Sequence, residues 1–190
     1  MRKNEKSMAQ IDLLNKIDKR EAVVGIVGLG YVGLPLAIHF GQEGFKVIGF
    51  DVDVRKIDML HRGESYIKHI QMGPINDRIK NGHLEVTVDF KRLKEADCIL
   101  ICVPTPLTDK MEPDLSYLLD TTKTISGILR DGQLIVLEST TYPGTTEEML
   151  LQGLEIGNMK VGQNYFLAFS PEREDPGNGK FNAANIPKVV

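Results

Sequence analysis

Polar and apolar residues along this chain alternate in two kinds of run. Short, nearly unbroken apolar stretches recur at 22–28, 45–50, 96–103, 133–137 and 164–169. Such a run, bounded by turn residues, reads as a strand covered on both faces, as in a parallel sheet. The stretch 84–88 alternates and reads as a further strand. Helical patterns fall between them at 32–43, 54–61, 74–80, 115–129 and 146–154. Gly44 and Asn81-Gly82 close two of these. Asp53 reads as the N-cap of the helix at 54–61, and Thr145 with Glu148 as a capping box for the helix at 146–154. Ahead of the first strand, Ile11, Leu13, Leu14 and Ile17 mark a short amphipathic helix, expected to pack on the sheet edge, with a partner-binding role as the alternative. Strand alternating with helix predicts an α/β fold, a doubly wound parallel sheet. Residues 1–20 are then a helical extension and 21–190 the domain. Residues 186–190 read as the start of another strand, so the chain is expected to be the first part of a longer protein.

Composition narrows the function classes. A chain of 190 residues with 42% hydrophobic content can bury a sizeable core. A net charge of -3 gives no electrostatic case for nucleic acid or an anionic membrane. Arg2, Lys3 and Lys6 are not followed by a signal-peptide core, and no apolar stretch approaches membrane-spanning length, so a cytoplasmic location is expected. Cys98 and Cys102 sit inside an apolar run and read as reduced core thiols. His61, His69 and His83 have no metal-ligand spacing, so no metal is expected.

The chemistry concentrates at strand ends. Gly28-Leu29-Gly30-Tyr31-Val32-Gly33 lies between the first strand and first helix, the context in which G-x-G-x-x-G binds a dinucleotide. Gly28 allows the tight turn, Gly30 lets a pyrophosphate approach the backbone, and Gly33 lets the helix pack closely on the strand. Pro35 fits the first helical turn. A glycine turn made only for close packing is the bland alternative. Asp51, ending the second strand, is placed to accept hydrogen bonds from the adenosine ribose and to repel the extra phosphate of NADP. Arg55 and Lys56 stand nearby, and Lys56 is counted with Asp51 among the cofactor contacts. Asp51 as a helix cap is the other reading, although Asp53 is better placed. NAD is therefore the expected cofactor, in a Rossmann fold. The strand at 96–103 ends in Val103-Pro104-Thr105-Pro106, where two prolines stiffen the loop. Val103, Thr105 and Pro106 are expected along the cofactor trough.

Taken together, the glycine turn with Leu34-Pro35-Leu36-Ala37, Val103-Pro104-Thr105-Pro106-Leu107, Glu138-Ser139-Thr140-Thr141-Tyr142-Pro143-Gly144-Thr145-Thr146 and Ser170-Pro171-Glu172-Arg173 resemble the nucleotide-sugar 6-dehydrogenase family, which includes UDP-glucose and GDP-mannose dehydrogenases. The resemblance covers nearly all of the chain after residue 20. Arg173 directly after Glu172 looks most like the UDP-N-acetylhexosamine branch, with UDP-glucose second. The resemblance implies oxidation of a sugar C6 alcohol to a carboxylate with two NAD, through a thiohemiacetal and a thioester on a cysteine. It implies that Thr140 helps hold the catalytic water and that Glu172 is the acid–base partner in thioester hydrolysis. An ion pair with Arg173 is the structural alternative for Glu172. Arg173 meets either the substrate pyrophosphate or a carboxylate. The family's catalytic cysteine and lysine, most nucleotide-sugar contacts and the long dimer-forming helix lie in a second half. This chain is thus expected to bind NAD but not to turn over sugar alone, and the full-length protein to be a homodimer or larger. A short NAD-binding module without catalysis, and a dehydrogenase sharing only the glycine turn, are the competing readings. Thr140 and the 170–173 motif argue against the second of these.

Overall fold

The computed structural model describes residues 7–68, 70, 73–155 and 157–171. Six strands, β1 (Val23–Val27), β2 (Lys46–Phe50), β3 (Leu84–Thr87), β4 (Cys98–Ile101), β5 (Leu134–Leu137) and β6 (Phe166–Phe169), pair in parallel in the order β3-β2-β1-β4-β5-β6. The chain runs outward from β1 to β3, crosses over, and runs outward again from β4 to β6. The loops leaving β1 and β4 therefore diverge, which opens a crevice at the strands' carboxyl ends. The register across that centre pairs Val24 with Cys98 and Val27 with Ile101.

The central strands feed two core layers by simple alternation, while edge strand β3 feeds one through Leu84 and Val86. Val24, Ile26, Val47, Cys98 and Leu100 face one layer, with Leu34 and Leu36 of α2 (Gly33–Gln42) and Ile57 and Leu60 of α3 (Val54–His61). Ile48, Phe50, Ile99, Ile101, Ile135 and Leu137 face the other, with Leu93 and with Leu118 and Ile125 of α5 (Ser116–Ser126). The chain passes from α3 to β3 through α4 (Gly73–Lys80). Burial on both faces explains why β4 reads as a continuous apolar run. A 3₁₀ helix, Phe90–Glu95, capped by Asp89, links β3 to β4 where no element is expected from sequence.

Helix α1 (Met8–Asp18) corrects one expectation. The sheet edges are β3 and β6, whereas α1 makes its hydrogen bonds beside the central strands β1 and β4. It sits at the amino ends of the central strands, where the buried Asp97 carboxylate accepts from Lys16 Nζ (3.2 Å), the Val23 N–H (3.0 Å) and the Arg130 guanidinium (2.9 Å). Burial pushes Asp97 up, but these three donors together hold it below its usual value. Leu13 enters the core, while Ile11 and Leu14 stay exposed.

The capping box at Thr145 and Glu148 does not form. Thr145 has helical dihedrals, its hydroxyl donates to the Tyr142 carbonyl (2.7 Å), and Glu148 accepts from the Tyr142 hydroxyl (3.2 Å). A box requires an extended cap residue. The segment instead opens as a π-helix, Thr146–Leu151, and passes into α6 (Gln152–Leu154). Asp53 does cap α3, accepting from the Arg55 N–H at 3.0 Å. Helix α5 is shorter than the 115–129 pattern and ends at Gly127. The strand expected at 186–190 lies outside the described residues.

Candidate functional site

The glycine turn closes the carboxyl end of β1. Gly28 has φ +93°, and a Cβ there would lie 2.7 Å from the Cys102 carbonyl oxygen, so both conformation and the approach of β4 require glycine. A Cβ on Gly33 would strike the Gly28 carbonyl and lie 3.1 Å from Ile26 Cγ2. Gly33 therefore seats α2 on the turn itself as well as on the strand. Gly30 differs from both: a Cβ there would meet no atom within 4 Å. The fold does not need Gly30, and the open space beside it is what a phosphate group requires. No side chain caps α2; in its first turn the Leu34 N–H goes to the Gly30 carbonyl (3.1 Å), the Leu36 N–H goes to the Val32 carbonyl (3.2 Å), and Pro35 has no N–H.

Next to the turn stands a buried carboxylate. Asp51 accepts from the Leu29 N–H (2.9 Å), the Asp53 N–H (2.9 Å) and Lys56 Nζ (2.8 Å). Arg55 turns instead to Asp53, whose carboxylate it holds below the usual range. Tyr66 completes the group by donating its hydroxyl to the Leu29 carbonyl at 2.6 Å. Burial, with Asp51 nearby, pushes the Tyr66 phenol far above its ordinary value, so it stays a donor.

The loops after β4 and β5 are tied together on the other side of the crevice. Thr105 Oγ1 donates to the Thr140 carbonyl at 2.5 Å, and Ser139 Oγ donates to the Val103 carbonyl at 2.7 Å. Because Thr140 uses its carbonyl there, that bond leaves its hydroxyl unspent. A cleft of about 840 Å³ joins both sides. Its size suits a dinucleotide-sized ligand.

The sequence profile of the UDP-glucose/GDP-mannose dehydrogenase family, NAD binding domain, matches residues 22–190. The chain belongs to this family. The UDP-N-acetyl-D-glucosamine 6-dehydrogenase of Salmonella typhi is 36% identical over 90% of the chain. A UDP-D-ManNAc dehydrogenase structure from Pyrococcus horikoshii superposes with TM-score 0.75 at 34% identity, covering 82% of the chain. An NDP-N-acetyl-D-galactosaminuronic acid dehydrogenase structure from Methanosarcina mazei gives TM-score 0.74 at 37% identity, covering 85%. The chain spans 39% of the Salmonella relative's length and 37% of each of those two structures.

Most residues expected at the site of this NAD-binding domain line the one cleft: Gly28, Gly30, Tyr31, Val32, Asp51, Lys56, Val103, Thr105 and Thr140. Gly33 and Pro106 do not. Gly33 is packed against Gly28, and Pro106 turns away to accept the Asp114 N–H (2.7 Å), so Pro104 takes the lining position. Glu172 and Arg173 lie outside the described residues, as does His69. Sequence reasoning missed Tyr66, Ser139 and the α5 face bearing Tyr117, Asp120, Thr121 and Thr124. That face carried a signal, since polar residues recur at helical spacing beside buried Leu118 and Ile125.

Cys98 is buried, and burial, reinforced by the Asp97 charge, pushes its thiol up to about 12. Among the described residues no cluster of His, Cys, Asp and Glu is arranged to hold a metal. Nor is any helix among them long and apolar enough to cross a membrane.

Proposed function

We propose that this chain is the cofactor-binding part of an NAD-dependent UDP-sugar 6-dehydrogenase acting on a UDP-N-acetylhexosamine. The observation that carries the reading is the joining of the open Gly30 turn, the Asp51 carboxylate and the Thr105–Thr140 pair along one cleft. Gly30 and the amino end of α2 hold the pyrophosphate, with Tyr31 and Val32 alongside. Asp51 and Lys56 hold the adenosine ribose, and Val103 and Thr105 the nicotinamide side. Bound NAD supplies a hydride acceptor for the sugar's C6 carbon.

Thr140, at the end of β5, orients the hydrolytic water through its hydroxyl. Glu172 takes that water's proton in thioester hydrolysis. Cys98 is not the nucleophile, because a thiol held at about 12 is scarcely ionised at neutral pH. Cys102 is likewise buried, and the covalent step is assigned to a cysteine elsewhere in the protein, as the resemblance implies. Residues 21–190 form the NAD-binding unit, with residues 1–20 as an extension tied to it through Lys16 and Asp97. The full-length protein is a homodimer or larger, and this chain alone does not turn over sugar.

The N-acetyl sugars named for the three relatives support the substrate class. The test is turnover by the protein of the complete reading frame, followed by NADH absorbance. UDP-N-acetylglucosamine and its manno and galacto isomers are compared with UDP-glucose. Two NADH per sugar acid from an N-acetyl substrate supports the reading. Turnover of UDP-glucose alone moves the assignment to that branch, and no turnover of any of them refutes it.

A further inference from the structure

The glycine turn is not shaped by its glycines alone. Leu29, between Gly28 and Gly30, is gripped at three points. Its N–H is taken by Asp51 (2.9 Å) and its carbonyl by the Tyr66 hydroxyl (2.6 Å). Its side chain is fully buried over β2, where a Cβ on Gly49 would come within 2.8 Å of Leu29 Cδ2. Tyr66 comes from a turn 37 residues downstream, and that turn is itself fixed. Ile67 is 1% exposed, and Ser65 Oγ both accepts the Ile67 N–H (3.1 Å) and donates to the Ile67 carbonyl (2.9 Å). The Lys56 ammonium, already on Asp51, lies 5.8 Å from the Tyr66 ring centroid. Asp51, Lys56, Tyr66 and Leu29 thus close a ring of contacts at the rim of the cleft.

A peptide unit is planar and, when trans, carries its C=O and N–H on opposite sides. Holding the Leu29 carbonyl on Tyr66 therefore holds the Gly30 N–H pointing the opposite way within the same plane. Gly30 has no side chain, and no neighbour would obstruct one; its carbonyl accepts the Leu34 N–H (3.1 Å), but no side-chain packing at Gly30 holds the peptide before it. We infer that Tyr66 is a positioning residue for the cofactor: its hydroxyl latches the Leu29–Gly30 peptide so that the Gly30 N–H is presented to the pyrophosphate. Without the latch the peptide samples other orientations, and the bound one must be selected at a cost in affinity. The inference rests on the reading of the cleft as an NAD site.

The test compares Tyr66→Phe with the unaltered chain, since phenylalanine keeps the ring and removes only the donor. Calorimetry with NAD and ADP-ribose should show Kd raised about fivefold, the equivalent of one ordinary hydrogen bond. Adenosine, which has no pyrophosphate, should bind within about twofold of the unaltered chain. In the ligand-free protein the Gly30 amide resonance should shift and broaden, while that of Gly44, at the far end of α2, should not. This readout stands even if the variant is less stable. Equal NAD affinity in the two proteins, an equal loss on adenosine, or an unmoved Gly30 resonance overturns the latch. Failure of the unaltered chain to bind NAD would instead remove the reading of the cleft.

Discussion

Replacing Asp51 by Asn tests whether one carboxylate both builds the turn and selects the cofactor. Asn has the same shape but offers one oxygen where Asp51 has two. Asp51 is 5% exposed and serves three donors, the N–H groups of Leu29 and Asp53 and the Lys56 ammonium. However the new amide rotates, its NH2 faces at least one buried backbone N–H, and Lys56 loses its counter-charge. A hydrogen bond to a charged group is worth about 1.5–3 kcal/mol, so the ligand-free protein should lose about 2–4 kcal/mol. At about 2–4 °C per kcal/mol for a chain of this size, Tm should fall by about 4–16 °C. NAD affinity should fall about tenfold to a hundredfold as the ribose acceptor is lost. NADP should move the other way, because the repelling charge is gone and Lys56 is released toward the extra phosphate. Thermal melting without ligand and calorimetry with both nucleotides read the two effects separately. An unchanged ratio of NAD to NADP affinity would refute the assigned selectivity, and an unchanged Tm would refute the structural role.

Asp97→Asn should weaken the junction of α1 with the central strands by about 2 kcal/mol at pH 7, measured by urea unfolding. Because Asp97 is held below its usual value when folded, its contribution is complete above the unfolded pKa of about 4 and is lost as pH falls through the folded one. The gap between Asp97→Asn and the unaltered protein should therefore shrink in acid. Gly33→Ala should destabilise the fold by about 3 kcal/mol or more through its clash with the Gly28 carbonyl, whereas Gly30→Ala should leave Tm unchanged and weaken NAD binding. Cys98, buried and pushed up to about 12, should resist alkylation at pH 8 until the protein is unfolded, as mass spectrometry of the labelled peptide would show.

Much of the fold is written in local pattern. β4 is apolar throughout because its alternate residues enter the buried core layers on both faces of the sheet, so its sequence reads as a central strand. The glycine turn and Asp51 could be found because their spacing follows from strand and helix geometry. Thr105 and Thr140 each stand just beyond a strand's carboxyl end, and parallel neighbours bring such ends together.

Contacts decided by tertiary approach were not readable in the same way. Tyr66 sits in a polar turn, and nothing local ties it to Leu29. Helical periodicity marked Ile11, Leu13, Leu14 and Ile17 of α1 alike, but could not say that only Leu13 and Ile17 would reach the core or that Asp97 would draw the helix to the amino ends of β1 and β4. Thr145 and Glu148 had the spacing of a capping box, yet Tyr142 occupies both side chains and the helix opens with a π turn. Of two prolines after β4, spacing could not tell that Pro104 faces the cleft and Pro106 the Asp114 amide.

The cleft is proposed to take NAD through the open side of Gly30. Titration of the chain with NAD and NADP by calorimetry, with Gly30→Val in parallel, tests it directly. Saturable NAD binding is expected, with NADP weaker by at least about tenfold and no binding to a Gly30→Val protein whose Tm is unchanged. Equal binding of the two nucleotides, or undiminished NAD binding by Gly30→Val, would contradict it.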